Sequence, residues 1–240
     1  FAALISSNVV FLLLIKKNNY VNLTFSFHMT FHQIMDIIFT LIFIIFVLFA
    51  YRVYKCLPGF TRKVRFESKG IPVLVVLGSG EIMPIVSLLA KSPNYGEFTF
   101  VSADSDTLSF KHPSIPKGSK FRTIPRSRKV GQSFFTSIFT TLYSLVMNIP
   151  LLLVKPKLLL VNGPGVCLPV VVTIFIGNVL GICNCSIVFI ESICRVKTLS
   201  LTGKLIYPFC DLFLVYWPDL LKMKKRAKLI DLYGLNGKTE

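Results

Sequence analysis

A pair of cysteines at CxxC spacing is absent from this sequence, and so is any cysteine close to a histidine. The six cysteines stand at positions 56, 167, 183, 185, 194 and 210 and the three histidines at 28, 32 and 112, a distribution that argues against a metal site. Cys183 and Cys185 read as small buried thiols in a reducing compartment, and no disulfide framework is implied. Acids are also few: 11 Asp and Glu against 27 Lys and Arg leave a formal charge of +16. That balance suits a body lying on an anionic membrane face or handling phosphorylated ligands. Nucleic acid, the rival partner of a basic chain, lacks its signatures here. The basic residues are dispersed between apolar elements, with no zinc-finger spacing, RNA-binding aromatic motif or heptad-linked basic region. Internal repeats and low-complexity segments are missing as well.

What is plentiful is apolar surface. Of the 240 residues 53% are hydrophobic, above the usual share for a soluble globule, so a membrane segment is expected. Ile37 to Tyr51, "IIFTLIFIIFVLFAY", carries no charge. Taken with its flanks as residues 34–54, it approaches the ~20 residues a bilayer core requires. Arg52, Lys55, Arg62, Lys63, Arg65 and Lys69 follow it in a basic linker, 55–70, whereas no Lys or Arg lies between Asn18 and Gln33. The positive-inside rule then predicts a single-pass protein with a lumenal N-terminus and a cytosolic body. The opening stretch resembles a signal sequence with a short apolar part. Met29 and Met35 are alternative starts, and residues 1–33 are treated as an uncertain extension, not a second span. Val166 to Ile182 is a further apolar region. It begins at a glycine turn, contains Pro169 and Asn178, and precedes a strand-like run, so it reads as a buried crossover helix that covers a sheet.

Beyond residue 70, strand-like runs (72–77, 98–102, 157–161, 186–190 and 212–216) alternate with helix-like intervals (84–91, 132–148, 166–180 and 201–209). Such alternation predicts an α/β fold: one Rossmann-like parallel-sheet domain over residues 71–219, preceded by the single transmembrane helix and completed by Tyr216. Two strand-to-helix turns are rich in glycine, Gly78-Ser79-Gly80 after "IPVLVVL" and Asn162-Gly163-Pro164-Gly165 after "KLLLV". At the C-terminal ends of parallel strands, free backbone N–H groups of this kind can seat a phosphate; the alternative is that the glycines only make the turns tight. As a dinucleotide fingerprint the first loop is weak, since Met83 stands where GxGxxG needs its third glycine, although Asp104 is placed for a ribose contact.

The first glycine loop, "IPRSRKVGQS", "VNGPGVCLP" and "FIESICRVKTLSLTGKLIYPFCDLFLVYWPDL" together resemble the membrane-anchoring subunits of the two-part N-acetylglucosaminyltransferase of the endoplasmic reticulum, which makes dolichyl-diphosphate chitobiose. The likeness runs from about Ile71 to Leu220. It implies the acceptor-side N-terminal half of a split GT-B glycosyltransferase, with a separate soluble catalytic subunit binding UDP-N-acetylglucosamine, dolichyl-diphosphate-GlcNAc as acceptor, the endoplasmic-reticulum membrane as location, and neither cofactor nor metal. The length agrees: roughly 170 residues after the anchor suffice for one such domain only. The family's glutamate before Ser-x-x-Arg-Val corresponds to Glu191, a candidate to orient or deprotonate the acceptor hydroxyl. Gly78, Ser79, Gly80, Asn162, Gly163 and Gly165 would line the acceptor cleft. Arg126, Arg128 and Arg195 are phosphate-contact candidates, with a solvated or structural role as the alternative. The C-terminal tail, 220–240, is expected to bind the soluble subunit through Leu229, Ile230, Leu232, Tyr233 and Leu235. One departure matters. The family's loop reads Gly-Ser-Gly-Gly-His-Thr before an acid, whereas here Gly80 is followed directly by Glu81 and the histidine is gone. The alternatives are therefore a recruiter without a catalytic role and a multi-pass membrane carrier.

Overall fold

The computed structural model describes residues 19–58, 69–78, 81–104, 106, 109–126, 132–163 and 165–230. The chain divides into two units, Phe1–Tyr51 and Arg52–Glu240.

The described part of the first unit belongs to helix α1, Asn19–Cys56. Its segment His32–Cys56 is 25 residues long, apolar enough to cross a membrane and without a buried residue. At 1.5 Å per residue it reaches about 37 Å, enough for a hydrocarbon core of ~30 Å. Few polar side chains interrupt it, and the Thr40 hydroxyl is satisfied by donating to the carbonyl of Asp36, 2.8 Å away.

The second unit is built on a seven-stranded sheet whose adjacent strands all pair in parallel. The strands are β1 Ile71–Val76, β2 Tyr95–Ala103, β3 Lys120–Ile124, β4 Leu158–Asn162, β5 Ser186–Ile190, β6 Leu212–Val215 and β7 Ala227–Leu229, in the order β3-β2-β1-β4-β5-β6-β7. The order reverses at β1, where the chain runs outward through β2 and β3 and then returns to place β4 on the other side. β4 and β5 are buried along their whole length, which explains why their sequences are continuous apolar runs instead of an alternation. The central strands feed two cores. Leu74, Leu159, Val161, Ile187 and Phe189 pack on one face with Val170, Val171 and Ile174 of helix α4. Val73, Val75, Leu158, Leu160 and Ile190 pack on the other with Met83 and Val86 of helix α2. Full burial of such side chains is worth about 1.5–3 kcal/mol apiece in transfer free energy.

The helices of this unit are α2 Met83–Ala90, α3 Phe134–Met147, α4 Cys167–Leu180, α5 Leu201–Ile206 and α6 Pro218–Leu221. The apolar region 166–182 is thus a covering helix. α4 ends where Gly181 takes φ +77°, a left-handed stop that glycine adopts freely. Asn178 holds the following turn, its amide donating to the Cys185 carbonyl at 2.9 Å and its oxygen accepting the Cys185 N–H at 2.8 Å.

Two strands differ from the sequence expectation. β3 reads "KFRTI" and exposes all but Ile124, so it carries no apolar run. β7 has only three residues. The sheet is accordingly not complete at Tyr216: Phe213, Leu214 and Val215 pair with Ala227, Lys228 and Leu229, and the Ile230 N–H donates to the Val215 carbonyl at 2.8 Å. Leu229 and Ile230, expected in a docking tail, pack against the two cores. Leu232, Tyr233 and Leu235 lie outside the described residues, as do Ser79, Gly80 and Arg128 and much of the N-terminal extension and basic linker.

Candidate functional site

Because every strand of the sheet runs the same way, the exits of β1, β4 and β5 share one edge, at the point where the strand order reverses. Crevices at such points are where open parallel sheets bind ligands. Gly78 leaves β1 half-buried. Gly163 leaves β4 at φ +62°, and a Cβ placed on it would meet nothing within 4 Å. The glycine is therefore required by backbone conformation, and the space above the turn is open. Gly165 is exposed just before α4.

One carboxylate ties these exits together. Glu81, half-buried in the turn between β1 and α2, accepts the Ser192 hydroxyl at 3.0 Å, the Asn162 side-chain amide at 3.2 Å and, more weakly, the Ile193 N–H at 3.4 Å. Asn162 is the last residue of β4 and is fully buried. Ser192 begins the loop after β5, and its oxygen also accepts the Cys194 N–H at 3.3 Å. The loop after β6 joins the network through Trp217, whose indole N–H donates to the Ile193 carbonyl at 2.7 Å. Among the described residues the donors to Glu81 are all neutral, and its two oxygens retain acceptor capacity toward an incoming hydroxyl.

Glu191 differs in its surroundings. It is 0% exposed, and it accepts the Ser192 N–H at 3.1 Å, the Ser200 N–H at 3.0 Å and the Ser200 hydroxyl at 3.1 Å. Ser200 in turn caps α5, accepting the Gly203 N–H at 2.9 Å. Glu191 thus staples both ends of the 191–200 loop. Arg195 sits exposed in that loop, where its N–H donates to the Ser192 carbonyl at 2.9 Å, and it is not among the partners of Glu191 that hold this staple. Arg126 is exposed just past β3, at the edge of the sheet remote from β4 and β5. The structure therefore brings together Gly78, Asn162, Gly163 and the Glu191 loop, and it adds Glu81, Ser192 and Trp217 to the residues selected from sequence.

The chemistry of this edge is that of oxygen acids and amides. Cys167, at the start of α4, is buried, and burial pushes its thiol up to about 12, so it stays protonated and non-nucleophilic at neutral pH. Among the described residues no three His, Cys, Asp or Glu side chains are grouped to hold a metal ion.

The sequence model of the family described as "Oligosaccharide biosynthesis protein Alg14 like" matches residues 73–233. The chain belongs to this family. The match covers β1 from Val73 onward and the other strands in full, including β7, together with the turn that carries Glu81. Relatives include the UDP-N-acetylglucosamine transferase subunit ALG14 of Rattus norvegicus, 40% identical over 170 residues that make up 63% of this chain and 78% of the relative. The subunit of the same name from Candida albicans is 36% identical over 187 residues, 75% of this chain and 84% of that one. Among solved structures, MurG of Acinetobacter baumannii superposes with a TM-score of 0.49 at 12% identity, over 66% of this chain and 44% of that one.

Proposed function

We propose that this chain is the membrane-anchoring, acceptor-side subunit of the transferase that adds the second GlcNAc to dolichyl-diphosphate-GlcNAc on the cytosolic face of the endoplasmic reticulum. The observation that carries this reading is the pairing of one parallel-sheet domain, open at its ligand-binding edge, with a helix long enough to span a bilayer, in a family whose curated members are named as subunits of a UDP-N-acetylglucosamine transferase. A single domain of this kind is half of a GT-B enzyme. A soluble partner supplies the half that holds UDP-N-acetylglucosamine.

On this side of the cleft, Gly163, Gly165 and the first N–H groups of α4 receive the acceptor's diphosphate, aided by Arg195. The acceptor hydroxyl approaches Glu81. As its oxygen bonds to the anomeric carbon of the donor sugar, the bond from that carbon to UDP breaks, and the hydroxyl proton passes to the Glu81 carboxylate. Glu191 contributes by position: it fixes the loop from which Ser192 orients Glu81. Residues beyond Ile230, among them Leu232, Tyr233 and Leu235, make the contact to the soluble subunit. The test is reconstitution of the full chain in vesicles with the soluble subunit, UDP-N-acetylglucosamine and a dolichol-linked GlcNAc diphosphate. Transfer is expected only when both proteins are present. A partner that binds this chain stably yet yields no second sugar would overturn the reading.

A further inference from the structure

The segment from Gln132 to Val154 contains no Asp, Glu, Lys, Arg or His, and its helix is built inside out. The polar residues Ser137 and Ser144 of α3 and Asn148 at its C-cap face the domain, exposed by 8%, 0% and 0%, with Thr140 and Thr141 half-buried between them. Those positions, three or four apart, are the ones a helix normally fills with Leu or Val against its core. The opposite stripe, Phe135, Ile138, Phe139, Leu142, Tyr143 and Val146, is 55–71% exposed, and beyond it Ile149 and Leu153 are 53% and 82% exposed. At roughly 100 Å² apiece the six helical residues alone present about 600 Å², the upper end of the largest apolar patch on an ordinary monomer.

Both faces are wrong for a helix bathed in water. The inward face takes up polar groups at a cost, since the Asn148 side chain is buried with no hydrogen-bond partner among the described residues. The outward face leaves large side chains uncovered. Both are right if the outer medium is hydrocarbon. We propose that α3 and the turn Ile149–Val154 lie in the plane of the bilayer, as a second membrane contact of this chain beyond the spanning helix α1.

The segment is long and apolar enough to be a span by composition alone, but its packing keeps it in the domain. The Ser144 hydroxyl donates to the Pro125 carbonyl at the exit of β3, 3.1 Å away, and Thr173 of α4 donates to the Leu145 carbonyl at 3.4 Å. A crossing would break these bonds and carry the polar stripe into lipid. A lipid surface is favoured over a protein partner by three observations. No charge rims the stripe over 23 residues, Gln132 to Val154, where protein interfaces carry a polar rim. The apolar surface continues onto α4 at Ile176, Leu180 and Ile182, 40%, 59% and 45% exposed. The guanidinium of Arg52, the first residue of the second unit, donates to the Val179 and Asn178 carbonyls at the end of α4, at 3.0 and 3.2 Å. Arg52 lies in the last turns of α1, Asn19–Cys56, so the end of α4 is held to the chain close to its spanning helix and the bilayer is present at high effective concentration. Because α3 follows β3, its first turns lie at the strand-exit edge of the sheet. Docking would set that edge at the level where a lipid-linked substrate is reached without leaving the membrane.

The test uses the full chain in nanodiscs of phosphatidylcholine and phosphatidylserine, with Cys56→Ser, Cys183→Ser and Cys194→Ser to remove the thiols that are not buried. Nitroxide labels are attached at Phe139→Cys, at Leu142→Cys and, as a solvent reference, at Leu88→Cys on α2, which is 66% exposed. Labels at 139 and 142 are expected to be relaxed by oxygen and shielded from a nickel chelate, with an oxygen-to-nickel ratio several-fold above that at 88. Equal access of the chelate to all three positions would overturn the proposal. So would shielding that appears only after the soluble subunit is added, because the occupant would then be protein.

Discussion

Glu81 and Glu191 stand at the exits of strands separated only by β4, both bonded to the loop that begins at Ser192, yet their surroundings assign them different work. Glu191 is fully buried and spends its oxygens on the two ends of its own loop. Glu81 is half-buried and gathers side chains from the exits of β4 and β5 at the rim of the open crevice. Each accepts three hydrogen bonds, so the difference between them is burial: a carboxylate closed off from solvent holds structure, whereas one at the rim can meet a ligand. Proximity to the cleft therefore does not by itself single out the carboxylate that meets the acceptor, and the proposal for Glu81 rests on its exposure.

The comparison is sharpened most by Glu81→Gln, which keeps the shape and removes the base. Turnover of the reconstituted pair is expected to fall about 10²- to 10⁴-fold, while resistance to unfolding stays near that of the parent chain. Glu191→Ala is expected to do the reverse in kind. It leaves the Ser192 and Ser200 N–H groups without their buried acceptor and should cost about 3 kcal/mol of stability, read as a drop in the denaturant midpoint, with activity lost only through the lost fold.

Gly203→Ala probes the same staple from the other side. A Cβ there would lie 2.5 Å from Glu191 Oε2 and 3.0 Å from Ser200 Oγ, so the carboxylate or the first turn of α5 has to move, at about 1–3 kcal/mol. A chain that accepts alanine at 203 with no change in thermal midpoint would show that the staple is slack. A milder effect concerns pH. Cys167 has its thiol pushed by burial from 9.0 to about 12, so above pH 9 the unfolded chain loses a proton that the folded chain keeps. Stability is unaffected by this group below pH 9 and falls as pH rises from there toward 12, with a slope of up to about 1.4 kcal/mol per pH unit. Burial raises Cys210 as well, so Cys167→Ala should lessen the slope without abolishing it, as measured by urea unfolding at stepped pH.

Much of this was legible before the structure. "LLLVN", "SIVFI" and "IPVLVV" are strands buried on both faces, and their composition alone distinguishes them from amphipathic helices. Gly163 announced its left-handed turn, and the Pro169 and Asn178 region announced a buried helix. β3 and β7 were illegible because each is an edge strand with one neighbour: "KFRTI" and "AKL" acquire their conformation from the strand beside them, not from their own pattern. The tail's apolar residues were correctly seen to need cover, but that cover at Leu229 and Ile230 is the sheet itself. Glu191 drew attention through the resemblance, as the glutamate before Ser-x-x-Arg-Val. Its role as a staple depends on Ser200, nine residues onward, through a loop whose path no local pattern encodes. Glu81 was visible only as the residue in place of a missing histidine, although an acid directly after Gly-Ser-Gly at a strand exit was itself a signal. α3 was legible as a helix, but periodicity does not say which side faces the protein.

Whether Glu81 or Glu191 faces the acceptor is decided by carbodiimide labelling of carboxylates in the full chain, followed by peptide mass analysis with and without dolichyl-diphosphate-GlcNAc. Glu81 is expected to be modified in the free chain and protected by the acceptor, with Glu191 unmodified in both states. Modification of Glu191 that the acceptor suppresses, or labelling of Glu81 that the acceptor leaves unchanged, would contradict the assignment of that role to Glu81.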